Sequence, residues 1–365
     1  MCRADASRLC AHRASREPFG YVTSTSLSAA VLTPRRADGY GGRTIALSLE
    51  NYYAEVTLVG REESSVLFVA HPEHDPQSFS SLEAFANRVH RNGFYGGQRL
   101  LWSLVAEFHG YHAKQGSSLP PKGFSLAYQT NIPRQAGLSG SSAILTAALS
   151  CLEAHFGNAF AILLHTRPNL VLQAESALGI AAGLQDRVIQ SYEGLMYMDF
   201  ASVATRGHGE YTRLDSTLLP RLWLILNDNP GDSGAVHSTV RRRWDAGDEE
   251  THRLMKEVAE LPLGGREALQ QGDTRALAAL MERNFELRRA LFGDAALGSA
   301  NLRMVEVARK VGAACKFTGS GGAAVALCWE GEAQEEALRM ACEKEGLRCE
   351  LVRIHEPCAA NAPES

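Results

Sequence analysis

The chain has 365 residues, of which 45% are hydrophobic and 21% are charged, and its formal net charge is -4. This length is sufficient for two domains, and the composition is ordinary for a globular protein. A weakly acidic chain has no general attraction for nucleic acid or for an anionic membrane. We therefore expect neither as a partner and look for local binding sites.

The 8 cysteines are scattered, without a CxxC pair or another zinc-ligand spacing. A chain of this size does not need disulfides, so we expect reduced thiols in a cytoplasmic protein. No apolar run reaches the roughly 18 residues that a membrane-spanning helix requires, and the sequence predicts no such helix.

Residues 1–30 carry several arginines and few acidic residues. This composition is typical of a transit peptide for organelle import. A disordered extension and an incorrect gene start explain it equally well. On each of these interpretations the fold begins near residue 31.

The sequence between residues 31 and 205 predicts strands joined by helices. Alternating or β-rich segments indicate strands at 44–59, 124–128 and 194–200. Helical patterns cover residues 79–113 in two parts, 141–156, and 160–190 with a glycine-containing break.

A polar, turn-like stretch at 206–210 indicates a boundary before a second domain, 206–355, and a tail, 356–365. The second domain predicts strands at 221–227, 324–329 and 347–354, with helices over 235–310 and 333–345. Because helices and strands mix without regular βαβ alternation, we assign the α+β class.

The most informative segment is PRQAGLSGSSA, residues 133–143, which runs directly into the apolar helix. Glycines let the backbone approach an anion, and the helix start offers unpaired N–H groups. It matches neither a Walker A motif nor GxGxxG. Alone it also fits a capped turn. The candidate phosphate-binding residues are Pro133, Gln135, Ala136, Gly137, Leu138, Ser139, Gly140, Ser141, Ser142 and Ala143.

Three separate segments resemble the motifs of the GHMP kinases, the family that includes galactokinase, homoserine kinase and mevalonate kinase. They are the end of the first motif (DGYGGRT, 38–44), the second motif (133–143) and the third motif (KFTGSGGA, 316–323). The resemblance implies an N-terminal ATP-binding α+β domain and a C-terminal ferredoxin-like α+β domain. It also implies ATP and Mg²⁺ as cofactors.

The family pattern implies roles for two acidic residues. Glu175 corresponds to the metal-binding Glu, which with Ser141 or Ser142 completes a set of hard oxygen ligands for Mg²⁺. Asp186, in the segment GLQD, corresponds to the catalytic Asp that orients or accepts the acceptor's proton. Seen alone, Glu175 also fits a solvated helix face and Asp186 a helix N-cap.

The substrate side rests on the first and third motifs. Asp38 and Tyr40 are implied partners of the acceptor's hydroxyls. Gly319, Ser320 and Gly321 belong to the loop that closes over phosphates and substrate. The chain departs from the family at VLTPRRA, residues 31–37, where members carry an apolar strand ending in a glycine-rich stretch.

Within the family, DGYGGRTI, NIPRQAGLSGSSAI, GLQDRVIQSYEGLMYMDF and KFTGSGGAAVAL resemble the glucuronokinases of plants and algae. This implies phosphorylation of the anomeric hydroxyl of a sugar acid, D-glucuronate. The carboxylate of such a substrate needs a cation, most effectively an arginine fork. Arg43, Arg134 and Arg187 are the candidates, and each also fits a structural ion pair. A kinase for another hydroxyl compound, such as galactose, and a non-catalytic sensor are the alternatives.

Overall fold

The structure, a computed structural model, describes residues 21–31, 41–92, 96–180, 182–227, 237–319 and 321–355. Asp38, Tyr40 and Ser320 lie outside these ranges, as do residues 32–37. The described chain forms two β-sheets, each with its own helices. Within these ranges no helix combines the length and the apolar character that crossing a bilayer requires.

The first sheet has six strands in the order β3-β4-β2-β5-β6, with β1 paired to β2. All pairs are antiparallel except β3 with β4. The strands are β1 (Tyr21–Val31), β2 (Arg43–Arg61), β3 (Val66–Phe68), β4 (Gly123–Thr130), β5 (Leu195–Asp199) and β6 (Glu210–Leu214).

Strand β1 corrects the expectation that the fold begins near residue 31. It pairs with β2 from Tyr21 opposite Val59 to Val31 opposite Ala46, so residues 21–30 are part of the first sheet. The alternation that marks a strand is present but weakly apolar, because Ser24 and Ser26 occupy buried positions. An apolar-pattern search therefore overlooks it.

Strand β6 moves the predicted domain boundary. It pairs with β5 along its whole length, from Glu210 opposite Asp199 to Leu214 opposite Leu195. The first sheet thus extends beyond residue 205 and ends at Leu214.

The helices of the first unit are α1 (Leu82–Asn92), α2 (Gly97–Lys114), α3 (Gly140–Phe156), α4 (Arg167–Ala177), α5 (Gln185–Tyr192) and α6 (Val203–Arg206). Helix α3 is the central one, and every residue from Ser142 to Leu152 is buried. It packs against β1 and β2 on one side and against α2, α4 and α5 on the others. This surrounding explains why its sequence is apolar on all faces.

The second sheet has the order β10-β7-β9-β8, with every pair antiparallel. Its strands are β7 (Leu222–Leu226), β8 (Ala314–Phe317), β9 (Ala323–Leu327) and β10 (Arg348–Leu351). Its helices are α7 (His237–Asp245), α8 (Glu249–Gln271), α9 (Thr274–Phe292), α10 (Asp294–Leu297), α11 (Ser299–Lys310) and α12 (Glu332–Lys344). This strand order and the βαββαβ succession confirm the ferredoxin-like prediction.

The C-terminal segment joins the two units. Tyr52 of β2 donates to Glu350 Oε1 at 2.9 Å, and Asn51 Nδ2 donates to the Leu351 carbonyl at 3.0 Å. Burial, reinforced by the Glu350 carboxylate, raises the pKa of Tyr52 to about 12. Tyr52 therefore stays protonated at neutral pH and remains a donor to the second unit.

His355 ends the described chain between two carboxylates of the first unit. Its Nδ1 lies 3.5 Å from Glu50 Oε1 and its Nε2 lies 3.7 Å from Glu193 Oε2. Burial opposes the charged imidazole, but the carboxylates of Glu193 and Glu50 outweigh it, and the net effect raises the pKa of His355. Glu193 directly follows α5, so this contact ties the C-terminal segment to the end of that helix.

We expect His355→Gln to destabilise the fold in a pH-dependent way. A raised pKa in the folded state stabilises the fold fully below the unfolded value of about 6.5, and this contribution is lost as pH rises through the folded pKa. The variant should therefore lose about 1 kcal/mol at pH 5.5 and less at pH 9. Urea unfolding at the two pH values measures this. His109→Gln on the exposed face of α2 is the control, and equal losses for His355→Gln at both pH values would contradict the assignment.

Candidate active site

The segment predicted to bind phosphate, residues 133–143, connects β4 to the first turn of α3, and we call it the phosphate loop. Gln135, Gly137 and Ser139 have φ values of 58°, 66° and 59°, all in the left-handed region. Such residues turn the backbone so that consecutive N–H groups point into one concavity. Because the first N–H groups of α3 have no partner within the helix, they add donors and the positive end of the helix dipole.

A cavity of about 330 Å³ opens over this loop. The loop forms one wall, while β4 and the start of α2 form the other, with Arg134 and Ile180 also in the lining. Tyr128 donates to Asp75 Oδ2 at 2.8 Å and accepts from the Gly97 N–H at 3.2 Å. Burial, together with Asp75, raises the pKa of Tyr128, so its hydroxyl remains a donor.

Sequence reasoning did not find the residues on the far wall of this cavity. Gly97 lies so close to the Tyr128 ring that an added Cβ would stand 2.2 Å from Cζ. His74 also lines the cavity, and its ring stacks on His71 with centroids 4.3 Å apart. These residues come from separate segments without a shared motif, so the sequence carries no signal for their meeting.

Glu175 meets the phosphate loop directly. Its side chain is fully buried, and Ser141 Oγ donates to Glu175 Oε1 at 2.6 Å. Ser142 is also buried, but its hydroxyl donates to the Ser139 carbonyl at 3.0 Å, within the first turn of the helix. Ser141 is therefore the serine whose oxygen adjoins the Glu175 carboxylate.

Asp186 lies in the first turn of α5 and is 2% exposed. Its Oδ2 is 3.4 Å from Arg187 Nη1. One turn further along, Gln190 Nε2 donates to the Ser139 carbonyl at 3.0 Å, which fixes α5 against the phosphate loop. Direct hydrogen bonds thus connect the loop to Glu175 and to the helix that carries Asp186.

Arg187 contacts both Glu175 and Asp186. Its Nε donates to Glu175 Oε2 at 2.6 Å, and its Nη2 also donates to that oxygen. Its Nη1 donates to the Gly183 carbonyl at 2.9 Å. The guanidinium is 4% exposed.

The glycine-rich loop between β8 and β9 reaches the phosphate loop from the second unit. Gly322 has a φ of 84°, and a Cβ there would stand 2.5 Å from the Gln135 carbonyl oxygen. The Gly322 N–H donates to Asn301 Oδ1 of α11 at 2.7 Å. Gly319 and Gly321 belong to the same loop.

Arg43 is the first residue of β2. Its Nε donates to Asp199 Oδ2 at 2.7 Å, and the side chain is 33% exposed. Arg43 lines a second cavity of about 450 Å³, together with Gly41, Gly42 and residues of α7 and α8 that include Lys256. In sequence, Gly41 follows directly after Tyr40, and Asp38 and Tyr40 lie outside the described residues.

The first unit contributes the phosphate loop and the acidic residues Glu175 and Asp186, and the second unit contributes a glycine-rich loop that contacts the phosphate loop. Comparison with known proteins assigns this arrangement to a family. The profile of the GHMP kinases N terminal domain matches residues 100–194, and that of the GHMP kinases C terminal domain matches residues 266–346. The crystal structure of the Methanococcus jannaschii mevalonate kinase superimposes with a TM-score of 0.66 at 17% identity, covering 92% of this chain and 99% of that one. This chain belongs to the GHMP kinase family.

Two relatives from Arabidopsis thaliana are similar to this chain over most of its length. Glucuronokinase 1 is 49% identical over 324 residues, which are 88% of this chain and 89% of the relative. Probable glucuronokinase 2 is 50% identical over 321 residues, 87% of each chain. The predicted family and fold class are thereby confirmed.

Proposed function

We propose that this protein transfers the γ-phosphate of ATP to the anomeric hydroxyl of D-glucuronate and so forms glucuronate 1-phosphate. The similarity to the two glucuronokinases over most of the chain supports the substrate. The observation that carries the reaction type is the Ser141–Glu175 contact of 2.6 Å, because it joins the phosphate loop to an acidic group. Phosphoryl transfer requires a phosphate cradle, charge neutralisation and a positioned acceptor.

We place ATP in the cavity over the phosphate loop. A cavity of about 330 Å³ lies within the range of small-molecule sites. The left-handed residues Gln135, Gly137 and Ser139 and the start of α3 would hold the triphosphate through backbone N–H groups. Gly322, packed on the same loop, would limit how far the loop can open.

Mg²⁺ fits the donor set at the base of this loop. Ser141 Oγ and Glu175 Oε1 are adjacent oxygen atoms, and Arg187 occupies the other carboxylate oxygen. Hard oxygen donors of this kind are the ligands that Mg²⁺ prefers. We assign Ser141 and Glu175 to the metal, since the Ser142 hydroxyl is used within α3. The ion would neutralise the charge that develops on the phosphates.

Asp186 is the proposed base. In the transfer, the acceptor's anomeric oxygen forms a bond to the γ-phosphorus, the bond from that phosphorus to the ADP oxygen breaks, and the acceptor's proton passes to the Asp186 carboxylate. Burial shields the carboxylate from water, and the position at the start of α5 places it in the favourable end of the helix dipole. We also propose that Asp38 and Tyr40 bind the sugar hydroxyls. Gly319, Ser320 and Gly321 belong to the loop that we expect to close over the phosphates and the substrate.

Arg43 is the cation that we propose for the uronate carboxylate. Its side chain lines a cavity and is one third exposed, so a ligand can reach it. Lys256 of α8 lines the same cavity and adds positive charge. Arg134, by contrast, lines the cavity that we assign to ATP.

The acceptor assay tests this function. With ADP release measured for D-glucuronate, galacturonate, galactose and mevalonate, we expect kcat/KM for glucuronate to exceed that for galactose by about 10–100-fold, since a charged hydrogen bond contributes about 1.5–3 kcal/mol. In the same assay, Arg43→Gln should raise KM for glucuronate and leave KM for ATP unchanged. Phosphorus NMR of the product should show coupling to the anomeric proton.

Two outcomes would overturn the proposal. Equal or better use of galactose would assign the protein to another acceptor within the family. Binding of ATP and glucuronate in calorimetry without turnover would make it a sensor that has kept the fold.

A further inference from the structure

The guanidinium of Arg187 is enclosed by groups of the catalytic centre. Nε and Nη2 both donate to Glu175 Oε2, and Nη1 donates to the Gly183 carbonyl and lies 3.4 Å from Asp186 Oδ2. With 4% of the side chain exposed, every nitrogen faces protein rather than open solvent. A substrate carboxylate would have to displace one of these contacts to bind the guanidinium.

We propose that Arg187 is a positioning residue, which holds the metal ligand Glu175 and the base Asp186 in a fixed relation and does not bind the sugar acid. The proposal rests on the function proposed above, because it takes the metal and base roles from there. It changes the expected role of Arg187, which the sequence placed on the substrate side.

The burial of two carboxylates explains why a cation is needed between them. Glu175 is 0% exposed and Asp186 is 2% exposed. A buried carboxylate is strongly unfavourable unless it is paired and hydrogen-bonded. Arg187 supplies hydrogen bonds and positive charge to both, and its bond to the Gly183 carbonyl anchors the backbone just before α5.

The contacts of Glu175 are divided between its two oxygens. Arg187 binds Oε2 from one side, and Ser141 meets Oε1 from the side of the phosphate loop. The arginine therefore orients the carboxylate so that one oxygen faces the loop. Groups that orient a metal ligand in this way commonly change metal affinity by about 10–100-fold when they are replaced.

Lysine cannot substitute for this arginine, because its single nitrogen does not present the planar fork that reaches Glu175, Gly183 and Asp186 together. We expect Arg187→Lys and Arg187→Gln to lower kcat by about 10–100-fold, because a displacement of about 1 Å costs on that order. KM for glucuronate should stay within about twofold. Calorimetry should also show that the Mg²⁺-dependent gain in ATP affinity shrinks by about tenfold.

Arg167→Lys is the matched control. Arg167 is a buried arginine that bridges Glu153 of α3 at 3.4 Å and also donates to Ser150 Oγ, away from the phosphate loop. This substitution should lower stability while kcat and the Mg²⁺ effect on ATP affinity remain as in the unsubstituted protein. If Arg187→Gln does not fold, the comparison of Arg187→Lys with Arg167→Lys decides the question.

The two proposals fail in different ways. Absence of glucuronate turnover in the unsubstituted protein would remove the proposed function, and the Mg²⁺ effect on ATP affinity would still test Arg187. A rise of about tenfold or more in KM for glucuronate with kcat unchanged in Arg187→Lys would show a substrate contact and overturn the positioning role. Unchanged kcat and an unchanged Mg²⁺ effect would overturn it as well.

Discussion

Replacing Asp186 by asparagine should lower kcat by about 10²–10⁴-fold, the contribution typical of a general base. Asparagine keeps the volume of the buried side chain and an oxygen that can face Arg187 Nη1, so the start of α5 is preserved. It cannot accept the acceptor's proton. Because we assign the carboxylate to the acceptor and the loop to the nucleotide, ATP affinity measured by calorimetry should stay within about twofold of the unsubstituted protein.

Two further variants make this result specific. Asp186→Ala removes the contact with Arg187 and should reduce kcat at least as far as Asp186→Asn. Asp294→Asn breaks an exposed ion pair with Arg289 and should leave kcat unchanged. Turnover near the unsubstituted level in Asp186→Asn would exclude Asp186 as the base.

The parts of the site that lie within one segment were predictable from the sequence. Residues 133–143 announce a strand-to-helix loop because glycine, serine and an apolar helix follow each other without interruption. The structure places that loop between β4 and α3, with Ser139 immediately before the helix. Turns and helix starts require particular residue types at particular positions, so a short motif is enough to detect them.

The direction in which a side chain points cannot be predicted from a short motif. The resemblance to the family pattern pointed to both Glu175 and Asp186, but it did not indicate that the Arg187 side chain turns toward Glu175. That choice is made by the burial of two carboxylates near one guanidinium, which is a property of the packed structure. The same holds for Tyr128 and Asp75, whose contact joins distant segments.

Strand β1 illustrates a different limit. Its pairing with β2 supplies the backbone hydrogen bonds that a strand needs, and these do not depend on side-chain polarity. Serines at buried positions therefore remain compatible with a strand while weakening the apolar alternation. The interpretation of residues 1–30 as an extension thus included part of the first sheet.

Replacing Gly322 by alanine should weaken ATP binding by about tenfold, which corresponds to about 1.4 kcal/mol. The added Cβ would stand 2.5 Å from the Gln135 carbonyl oxygen and 2.7 Å from Ala136 Cα, so it would collide with backbone rather than with a movable side chain. Overpacking of this kind costs about 1–3 kcal/mol, and relief requires the two glycine-rich loops to separate. Calorimetry with ATP and thermal unfolding measure the two consequences.

Gly272→Ala is the control, because it introduces the backbone strain of a positive φ without a steric collision. Gly272 ends α8 with φ 66° and has open space around the added Cβ, so only the left-handed conformation is penalised, by about 1–2 kcal/mol. Both variants should lose stability, but only Gly322→Ala should lose ATP affinity, because its extra atom pushes on the loop that we assign to the phosphates. Unchanged ATP affinity in Gly322→Ala would mean that the contact between the loops does not shape the nucleotide site.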